Sequence, residues 1–406
     1  MKSLHHVSQH VVEQPKTVLR PMIHSKLVFV SFLGCRLGLF LCLAAQAIAS
    51  DWPVARGDAQ GTAVSKDSLP EKPEVLWEYK TKSDKAGFEG TPVVAKGRLY
   101  VGDFEGVLVA IDASKGTELW SQKTPDGFIT SAAIQNDQVV IGDFSGQVYC
   151  FNAVDGSPLW KKEIDQQIAS GPSFFNDQVL ITSESGSMTA MNLSDGETKW
   201  TYATGDQLRS SATIWKSFSL LGGCDGRLHK IDLIAGQPNG DGLPLEAPTL
   251  STPSVIGNIA IVPTQPGVVL AIDVETNTVL WKFSNQELSN DIRACSAALG
   301  EVRDGKVQGI AVVTTRNRRL VGLDLQDGSV LWSYTLKKRS DGSPIICDGR
   351  AWVGAADGMV YAVDLKTGME TWSYQLSGQI LASPAVADGK LYIATEKGSI
   401  VCFGQK

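Results

Sequence analysis

Few residues in this sequence could support acid–base or metal chemistry. Of the five histidines in the 406-residue chain, only His229 lies beyond residue 49. A single imidazole cannot build a histidine-rich zinc site, and a Ser-His-Asp triad would have to use His229. Because His229 lies within the alternating segment 227–231, we expect it on the face of a strand.

The cysteines and the acidic turns show no metal or disulfide pattern. Beyond residue 49 there are five cysteines, an odd number with wide spacing and no C-x-x-C pair. They are Cys150, Cys224, Cys295, Cys347 and Cys402. The segment 239–242, Asn-Gly-Asp-Gly, resembles part of a calcium loop but lacks the required glutamate. We therefore expect a turn there and no metal site.

Charge is distributed unevenly along the chain. The first 49 residues hold five of the 37 basic and one of the 43 acidic side chains, which leaves 32 and 42 and a net charge of −10. This balance disfavours binding to nucleic acid. There are two dense basic clusters, one at Arg316, Arg318 and Arg319 and one at 337–339 (Lys-Lys-Arg). We expect both to cap hairpins in solvent.

An apolar run over residues 27–49 follows a basic segment. Its small-residue end, Ala47-Ile48-Ala49, predicts a secretory signal peptide that is cleaved before Ser50. Met22 would give a more usual basic region than Met1 and is our candidate for the true start. An uncleaved membrane anchor is the alternative interpretation of the same run.

A repeat of about forty residues fills the remainder of the chain. Tryptophans separated by 43, 40, 40, 81, 51 and 40 residues mark it, and they are Trp77, Trp120, Trp160, Trp200, Trp281, Trp332 and Trp372. The separation of 81 spans two periods, because the copy at 230–240 has lost its tryptophan. Each later tryptophan ends a phrase such as AIDASKGTELW at 110–120, and a second unit such as TPVVAKGRLYVGDFEG at 91–106 occurs eight times.

Each copy predicts three short alternating strands and a fourth strand that begins at the tryptophan. Four strands in 40 to 45 residues are typical of a β-propeller blade. The last copy lacks its tryptophan strand, and 75–79 is such a strand without a blade, so the two ends complete one blade. The sequence thus predicts an all-β, eight-bladed propeller of four-stranded antiparallel blades over 75–406, after a signal peptide (1–49) and an N-terminal extension (50–74).

The phrase A-x-D-x-x-x-G-x-x-x-W resembles the tryptophan docking motif of the PQQ-like, quinoprotein-type eight-bladed propellers, which include quinoprotein alcohol dehydrogenases and BamB-like outer-membrane assembly proteins. The resemblance spans 75–406. The opening Asp51-Trp52-Pro53 with Arg56-Gly57 is similar to the W-P-x-x-R-G start of many exported members. The resemblance implies that the docking tryptophans pack between adjacent blades and are structural.

The resemblance also suggests how an enzyme of this family would be built. The quinoprotein alcohol dehydrogenases bind PQQ in the central funnel under two adjacent cysteines, hold Ca²⁺ with Glu and Asn, and use an Asp base. In this sequence no two cysteines are adjacent, which disfavours an enzyme of the alcohol dehydrogenase type. The soluble sugar-oxidising members use a histidine base, for which His229 is the candidate. A small quinoprotein oxidoreductase with PQQ and a divalent cation in the funnel stays an alternative.

The residue two places before each Ser/Thr-Pro-like pair marks the start of the innermost strand, where the family's funnel is lined. In the eight copies these residues are Glu89, Ile129, Ala169, Arg209, Leu250, Arg293, Asp341 and Leu381. Two acidic and two basic side chains share this ring. They either satisfy one another across a wet channel or form a site for a polar small molecule or peptide.

In BamB-like proteins, a Leu-Arg pair that opens one blade and an acidic pair that opens the next contact the partner. Leu208 and Arg209 match the first pair, whereas 248–250 do not supply the second. The resemblance therefore does not imply binding to the same partner, and we expect a general scaffold.

We expect an exported, periplasmic or envelope-associated, non-catalytic scaffold. It would bind a protein partner in the cell envelope, need no cofactor or metal, be a monomer, and be peripheral at most to the membrane. A polysaccharide-binding module is a further alternative, because sugars stack on aromatic side chains such as Phe88, Phe104, Phe128 and Phe144.

Overall fold

The computed structural model describes residues 50–83, 85–287, 291–303 and 306–406. The predicted signal peptide lies outside these residues. Every regular element within them is a β-strand, which confirms the all-β prediction. No helix in the described part of the chain is long and apolar enough to cross a membrane.

The described strands form eight sheets. Two strands precede the first blade, β1 (Val64–Ser65) and β2 (Glu74–Lys80). Blades 1 to 4 comprise β3 (Val93–Ala95), β4 (Arg98–Gly102), β5 (Val107–Asp112), β6 (Glu118–Lys123); β7 (Ala133–Gln135), β8 (Gln138–Gly142), β9 (Gln147–Asn152), β10 (Pro158–Glu163); β11 (Ser173–Phe175), β12 (Gln178–Thr182), β13 (Ser187–Asn192), β14 (Thr198–Ala203); and β15 (Thr213–Trp215), β16 (Phe218–Gly222), β17 (Arg227–Asp232), β18 (Gln237–Pro238), β19 (Leu243–Pro244). Blades 5 to 8 comprise β20 (Ser254–Ile256), β21 (Ile259–Pro263), β22 (Val269–Asp273), β23 (Thr278–Phe283); β24 (Ala297–Arg303), β25 (Lys306–Thr315), β26 (Arg319–Asp324), β27 (Val330–Thr335); β28 (Ile345–Cys347), β29 (Arg350–Gly354), β30 (Met359–Asp364), β31 (Glu370–Gln375); and β32 (Ala385–Ala387), β33 (Lys390–Ala394), β34 (Ser399–Gly404) with β2.

The first strand of each blade lies nearest the propeller axis, and the fourth strand lies at the rim. First strands of successive blades contact one another, for example β20 with β24 and β24 with β28. The inner strands are apolar on both faces because each face packs against a neighbouring blade. In β4, for instance, Leu99, Tyr100 and Val101 are at most 1% exposed. This arrangement confirms the predicted eight-bladed propeller.

The fourth strand begins two or three residues before its tryptophan, not at it as the sequence predicted. In blade 1, Trp120 pairs with Ala110 and Glu118 pairs with Ile111, so Leu119 is the extra residue of a β-bulge. A bulge redirects the side chains that follow it. Leu119 therefore points into solvent while Trp120 packs towards the next blade. The same register shift recurs in every blade that has a docking tryptophan.

The two ends of the propeller complete one blade, as predicted. Strand β2 pairs antiparallel with β34, and Trp77 lies opposite Cys402. The last blade therefore takes its outer strand from the start of the propeller. This pairing covers the outer edge of β34 and ties residues 74–80 to residues 399–404.

Six of the seven docking tryptophans in the described chain pack on a glycine turn of the next blade, and Trp372 packs instead on Phe403 of the last blade. Five indole N–H groups donate to a carbonyl in that turn, as in Trp332 to Leu365 (2.8 Å). The turn glycine lies on the indole: a Cβ on Gly368 would be 2.5 Å from Trp332, and φ is +68°. Only glycine meets both requirements without strain.

Blade 4 lacks a docking tryptophan and replaces its hydrogen bond with a lysine. The Lys230 ammonium donates to the carbonyl of Val274 (3.0 Å), the acceptor equivalent to those of the tryptophans. It also lies near the ring faces of Trp215 and Phe218. Correspondingly, blade 5 carries Asn277 where the other turns have glycine, because no indole lies there.

The N-terminal extension fills the axial channel of the propeller. Residues 52–63, which we call the axial segment, run along the innermost strands of six blades. Six strand N–H groups donate to its carbonyls over 2.7–3.0 Å: those of Val94, Ile134, Ile214, Val255, Ala298 and Ile346. Strand β1 then pairs in parallel with β28. Backbone groups on the axial edges of the blades are thus satisfied by the chain itself.

Two side chains anchor the axial segment. Trp52 is 2% exposed and packs on Gly57, where φ is +80° and a Cβ would be 2.8 Å from the indole. Arg56 is 5% exposed, and its Nη2 donates to the carbonyls of Ser296 (2.8 Å) and Pro344 (3.1 Å). These contacts explain the W-P-x-x-R-G pattern as the sequence of a segment that lies in the channel.

Candidate functional site

The loops that enter the innermost strands all lie at one end of the channel, which we call the mouth. The predicted ring residues precede the first strand of each blade by the same offset. Just below them, a second ring of short side chains links neighbouring blades. In five places a backbone N–H of one blade donates to a side chain of the next, the acceptors being Ser131, Thr252, Cys295, Ser343 and Ser383.

Three of the four charged ring residues, Arg209, Arg293 and Asp341, form ion pairs with residues outside the ring. Arg209 Nε lies 2.9 Å from Glu184, which belongs to a hairpin turn of the preceding blade. Glu89 interacts with Asp341 as a like charge: partial burial first, and the charge of Asp341 second, raise the pKa of Glu89. The ring is therefore neutralised largely by residues outside it.

A five-membered charge network occupies the mouth at blades 6 and 7. Arg316 bridges Asp291 (3.3 Å) and Asp341 (3.2 Å). Arg339 also pairs with Asp341 at 2.9 Å, and Arg293 lies 3.4 Å from Asp291. The guanidinium groups of Arg293 and Arg339 are about half exposed, so solvent reaches them. Such pairs contribute little stability, about 0–1 kcal/mol each, and they leave donors free for a partner.

Leu208 does not belong to the contact surface that the sequence predicted for it. Its side chain is fully buried between blades 3 and 4, against Leu180, Leu221 and Ile231. Leu208 therefore holds the loop that presents Arg209, whose side chain is 42% exposed. Of the Leu-Arg pair, only Arg209 is therefore exposed for the expected contact with a partner.

The axial segment closes the channel beneath the mouth. Arg56 is its most buried charge, and burial lowers the pKa of this guanidinium. Among the described residues, Arg56 Nε and Nη1 have no hydrogen-bond partner. A cavity of about 10 Å³ beside Arg56 is lined by Asp58 and Thr252, among others. This volume suits one water molecule, which would satisfy the free N–H groups.

His229 lies between blade 3 and blade 4. Its Nε2 is 2.9 Å from the carboxylate of Asp225, and its Nδ1 is 3.0 Å from the hydroxyl of Tyr202. His229 itself is 5% exposed. This buried polar chain satisfies each of its members, as a structural histidine requires. The expected position on a strand face is confirmed, because His229 lies in β17.

The cysteines divide into buried and partly exposed thiols. Cys150, Cys347 and Cys402 are fully buried, and burial raises the pKa of each to about 12. Cys224 and Cys295 are partly exposed, and no cysteine in the described chain is in a disulfide. The buried thiols act as small apolar side chains.

Two features that a PQQ–calcium site of the alcohol dehydrogenase type would use are not found. No two cysteines are adjacent in the sequence, and the described residues contain no cluster of three or more His, Cys, Asp or Glu suited to a metal ion. The innermost strands bond to the axial segment. For the sugar alternative, Phe88 and Phe128 are fully buried, while Phe144 is 38% exposed.

Sequence reasoning missed the partners of the ring charges and the contents of the channel. Glu184, Asp291, Arg316 and Arg339 belong to the mouth, although they lie outside the aligned ring. Glu184 and Arg316 could have been found from the repeat, because both occupy the turn that follows the second strand of their blades. The axial segment has no such signal, because its hydrogen bonds use backbone carbonyls.

The sequence matches a family model described as outer membrane protein assembly factor BamB over residues 54–141, 126–242, 242–345 and 265–406. No curated protein matches it. Among solved structures, BamB from Moraxella catarrhalis aligns with a TM-score of 0.67 and 18% identity, covering 82% of this chain and 98% of that one.

Two dehydrogenases are similar to the same extent. A europium-containing methanol dehydrogenase has a TM-score of 0.70 at 13% identity, covering 88% of this chain and 98% of that chain. Quinohemoprotein alcohol dehydrogenase from Comamonas testosteroni has a TM-score of 0.70 at 15% identity, covering 88% and 81%. At such identities the likenesses show the fold and do not separate assembly proteins from enzymes.

Proposed function

The chain belongs to the family of the outer membrane protein assembly factor BamB, and from this premise we propose that it is an exported, non-catalytic propeller that binds a protein partner of the cell envelope through its mouth. The observation that carries this proposal is the axial segment. It occupies the channel with the chain's own backbone, which bonds to the innermost strands of six blades, and the charged mouth lies at one end of that channel.

The chemistry of the mouth supports a polypeptide partner. Arg209, Arg293 and Arg339 are each more than 40% exposed, and carboxylates already orient them. Oriented guanidinium groups at the edge of a surface bind carboxylates and backbone carbonyls with little loss of side-chain entropy. The predicted signal peptide supports export, and family membership supports a role in envelope protein assembly.

The second candidate is a quinoprotein oxidoreductase, which the likeness to two dehydrogenases favours. Against it stand the missing cysteine pair, the lack of a metal-ligand cluster in the described residues, and the axial segment. The polysaccharide-binding alternative rests on Phe104 and Phe144 alone, because Phe88 and Phe128 are buried.

Site-specific photocrosslinking in the native host tests the proposed function. A photoreactive amino acid at Arg293 is expected to give a covalent adduct with an envelope protein. The matched control replaces Lys366, an exposed residue in a turn at the opposite end of blade 7. Equal adducts from both positions, or none from Arg293, would contradict binding through the mouth.

A further inference from the structure

Two basic clusters that are separate in the sequence meet at the rim of the mouth. The turn between β25 and β26 holds Arg318, and the loop after β27 holds Lys337 and Lys338. The N–H of Leu336 donates to the carbonyl of Arg318 (2.9 Å), which joins the two segments. Arg319 lies directly opposite Thr335 on the adjacent strand. We call Arg318, Arg319, Lys337 and Lys338 the basic rim patch.

The cations of the basic rim patch lack acidic partners. The nearby acids Asp291 and Asp341 are already paired with Arg293, Arg316 and Arg339. Within the described residues, no carboxylate lies within 4 Å of the four patch cations; the Arg319 guanidinium donates to the neutral hydroxyl of Thr335. Arg318, Lys337 and Lys338 are exposed. The patch thus presents four like charges to solvent.

Clustering, and not the lack of a partner alone, distinguishes the patch on the described surface, because single lysines such as Lys123, Lys161 and Lys366 also have no carboxylate within 4 Å. Ten lysines elsewhere each lie within 4 Å of a carboxylate: Lys80, Lys82, Lys96, Lys115, Lys162, Lys199, Lys216, Lys282, Lys390 and Lys406. Clustered like charges repel one another unless a counter-charge binds. An uncompensated cluster in a chain with a net charge of −10 after residue 49 therefore indicates a place for an external anion.

We propose that the basic rim patch docks an acidic segment of the polypeptide partner. The proposal rests on the function proposed above and gives the chemistry of the partner. Screening limits the reach of surface charges to about 8–10 Å at physiological salt, so a short segment on the patch senses mainly these cations. A membrane or a long polyanion would also approach the rest of the chain, whose net charge after residue 49 is negative. The arginines add paired N–H donors that match carboxylate oxygens.

The probe is a fluorescein-labelled twelve-residue peptide of alternating Asp or Glu and Ser or Gly. Its binding to residues 50–406 is measured by fluorescence anisotropy at low and at physiological salt. The Lys337→Gln/Lys338→Gln variant is expected to bind about fivefold more weakly at low salt and to show a smaller salt dependence. Both side chains are exposed, so the melting temperature should stay unchanged.

The matched control is Lys115→Gln/Lys366→Gln, which removes the same charge from turns at the opposite end. This variant should bind the peptide within twofold of the unmodified protein. An equal loss in both variants, or none in either, would overturn the proposal. Tighter binding of phosphatidylglycerol vesicles or inorganic polyphosphate than of the peptide would also overturn it.

The experiments distinguish failure of the acidic-segment proposal from failure of the proposed function. If the peptide does not bind but Arg293 still crosslinks to an envelope protein, the acidic-segment inference is wrong and the proposed function stands. If Arg293 gives no adduct while the peptide binds the patch selectively, the patch is an anion site and the proposed binding of an envelope protein through the mouth is wrong.

Discussion

Replacement of Trp52 by alanine is expected to lower the free energy of unfolding by about 3–5 kcal/mol. Trp52 is 2% exposed, and its backbone exchanges two hydrogen bonds with Val94 of the innermost strand of blade 1. Truncation leaves a cavity at the start of the axial segment and frees Gly57 from the contact that fixes its turn. Chemical denaturation followed by circular dichroism measures the effect.

Two further variants make this result specific to the axial segment. Gly57→Ala is expected to be destabilising as well, because a Cβ there meets the Trp52 indole at 2.8 Å and φ is +80°. Met369→Ala is the control, since this side chain is 69% exposed, and it should change stability by less than about 0.5 kcal/mol. If Trp52→Ala and Gly57→Ala are as mild as Met369→Ala, the segment does not occupy the channel.

Trp332→Ala is expected to have an effect of similar size, about 3–5 kcal/mol. This docking tryptophan is 7% exposed, donates to Leu365 and lies beneath Gly368 of the next blade. Truncation removes an interlock between blades 6 and 7 and leaves the carbonyl of Leu365 without its indole donor. The measurement is the unfolding midpoint in denaturant.

The neighbouring residue on the same strand provides the control for Trp332. Leu331 is 49% exposed because the β-bulge turns it outward. Leu331→Ala should therefore change stability by less than about 1 kcal/mol. Equal effects of the two substitutions would contradict the assignment of Trp332 as an inter-blade anchor.

The blades could be predicted from the sequence because each one carries its own signals. The tryptophan, the glycine of the following turn and the short alternating strands recur with the same spacing, and each reports contacts within a blade or with its neighbour. The closure by β2 followed from counting strands at the two ends. The start of the fourth strand was misplaced because a bulge has no distinctive residue type here.

The axial segment could not be predicted. Its hydrogen bonds join residues 52–63 to strands as far along the chain as Ile346, and they use backbone atoms that any residue supplies. Only at Trp52, Arg56 and Gly57 does the structure require a particular residue type. The W-P-x-x-R-G pattern contains these residues but does not indicate which part of the propeller they contact. Similarly, Lys230 takes over the role of the missing tryptophan from a position ten residues earlier.

The mouth could be predicted as a position but not as a charge arrangement. The repeat register brings Glu89, Arg209, Arg293 and Asp341 to one end. Their partners come from hairpin turns that the alignment of single copies does not connect with the ring, such as Glu184 and Arg316. The burial of Leu208 and the meeting of the two basic clusters likewise depend on packing between blades.

The most direct test of the non-catalytic account is calorimetric titration of residues 50–406 with PQQ, with and without Ca²⁺. Because the axial segment occupies the channel and the described residues offer no metal-ligand cluster, we expect no saturable heat in either condition. Tight, saturable binding that requires Ca²⁺ would contradict the account and assign the mouth charges to a cofactor site.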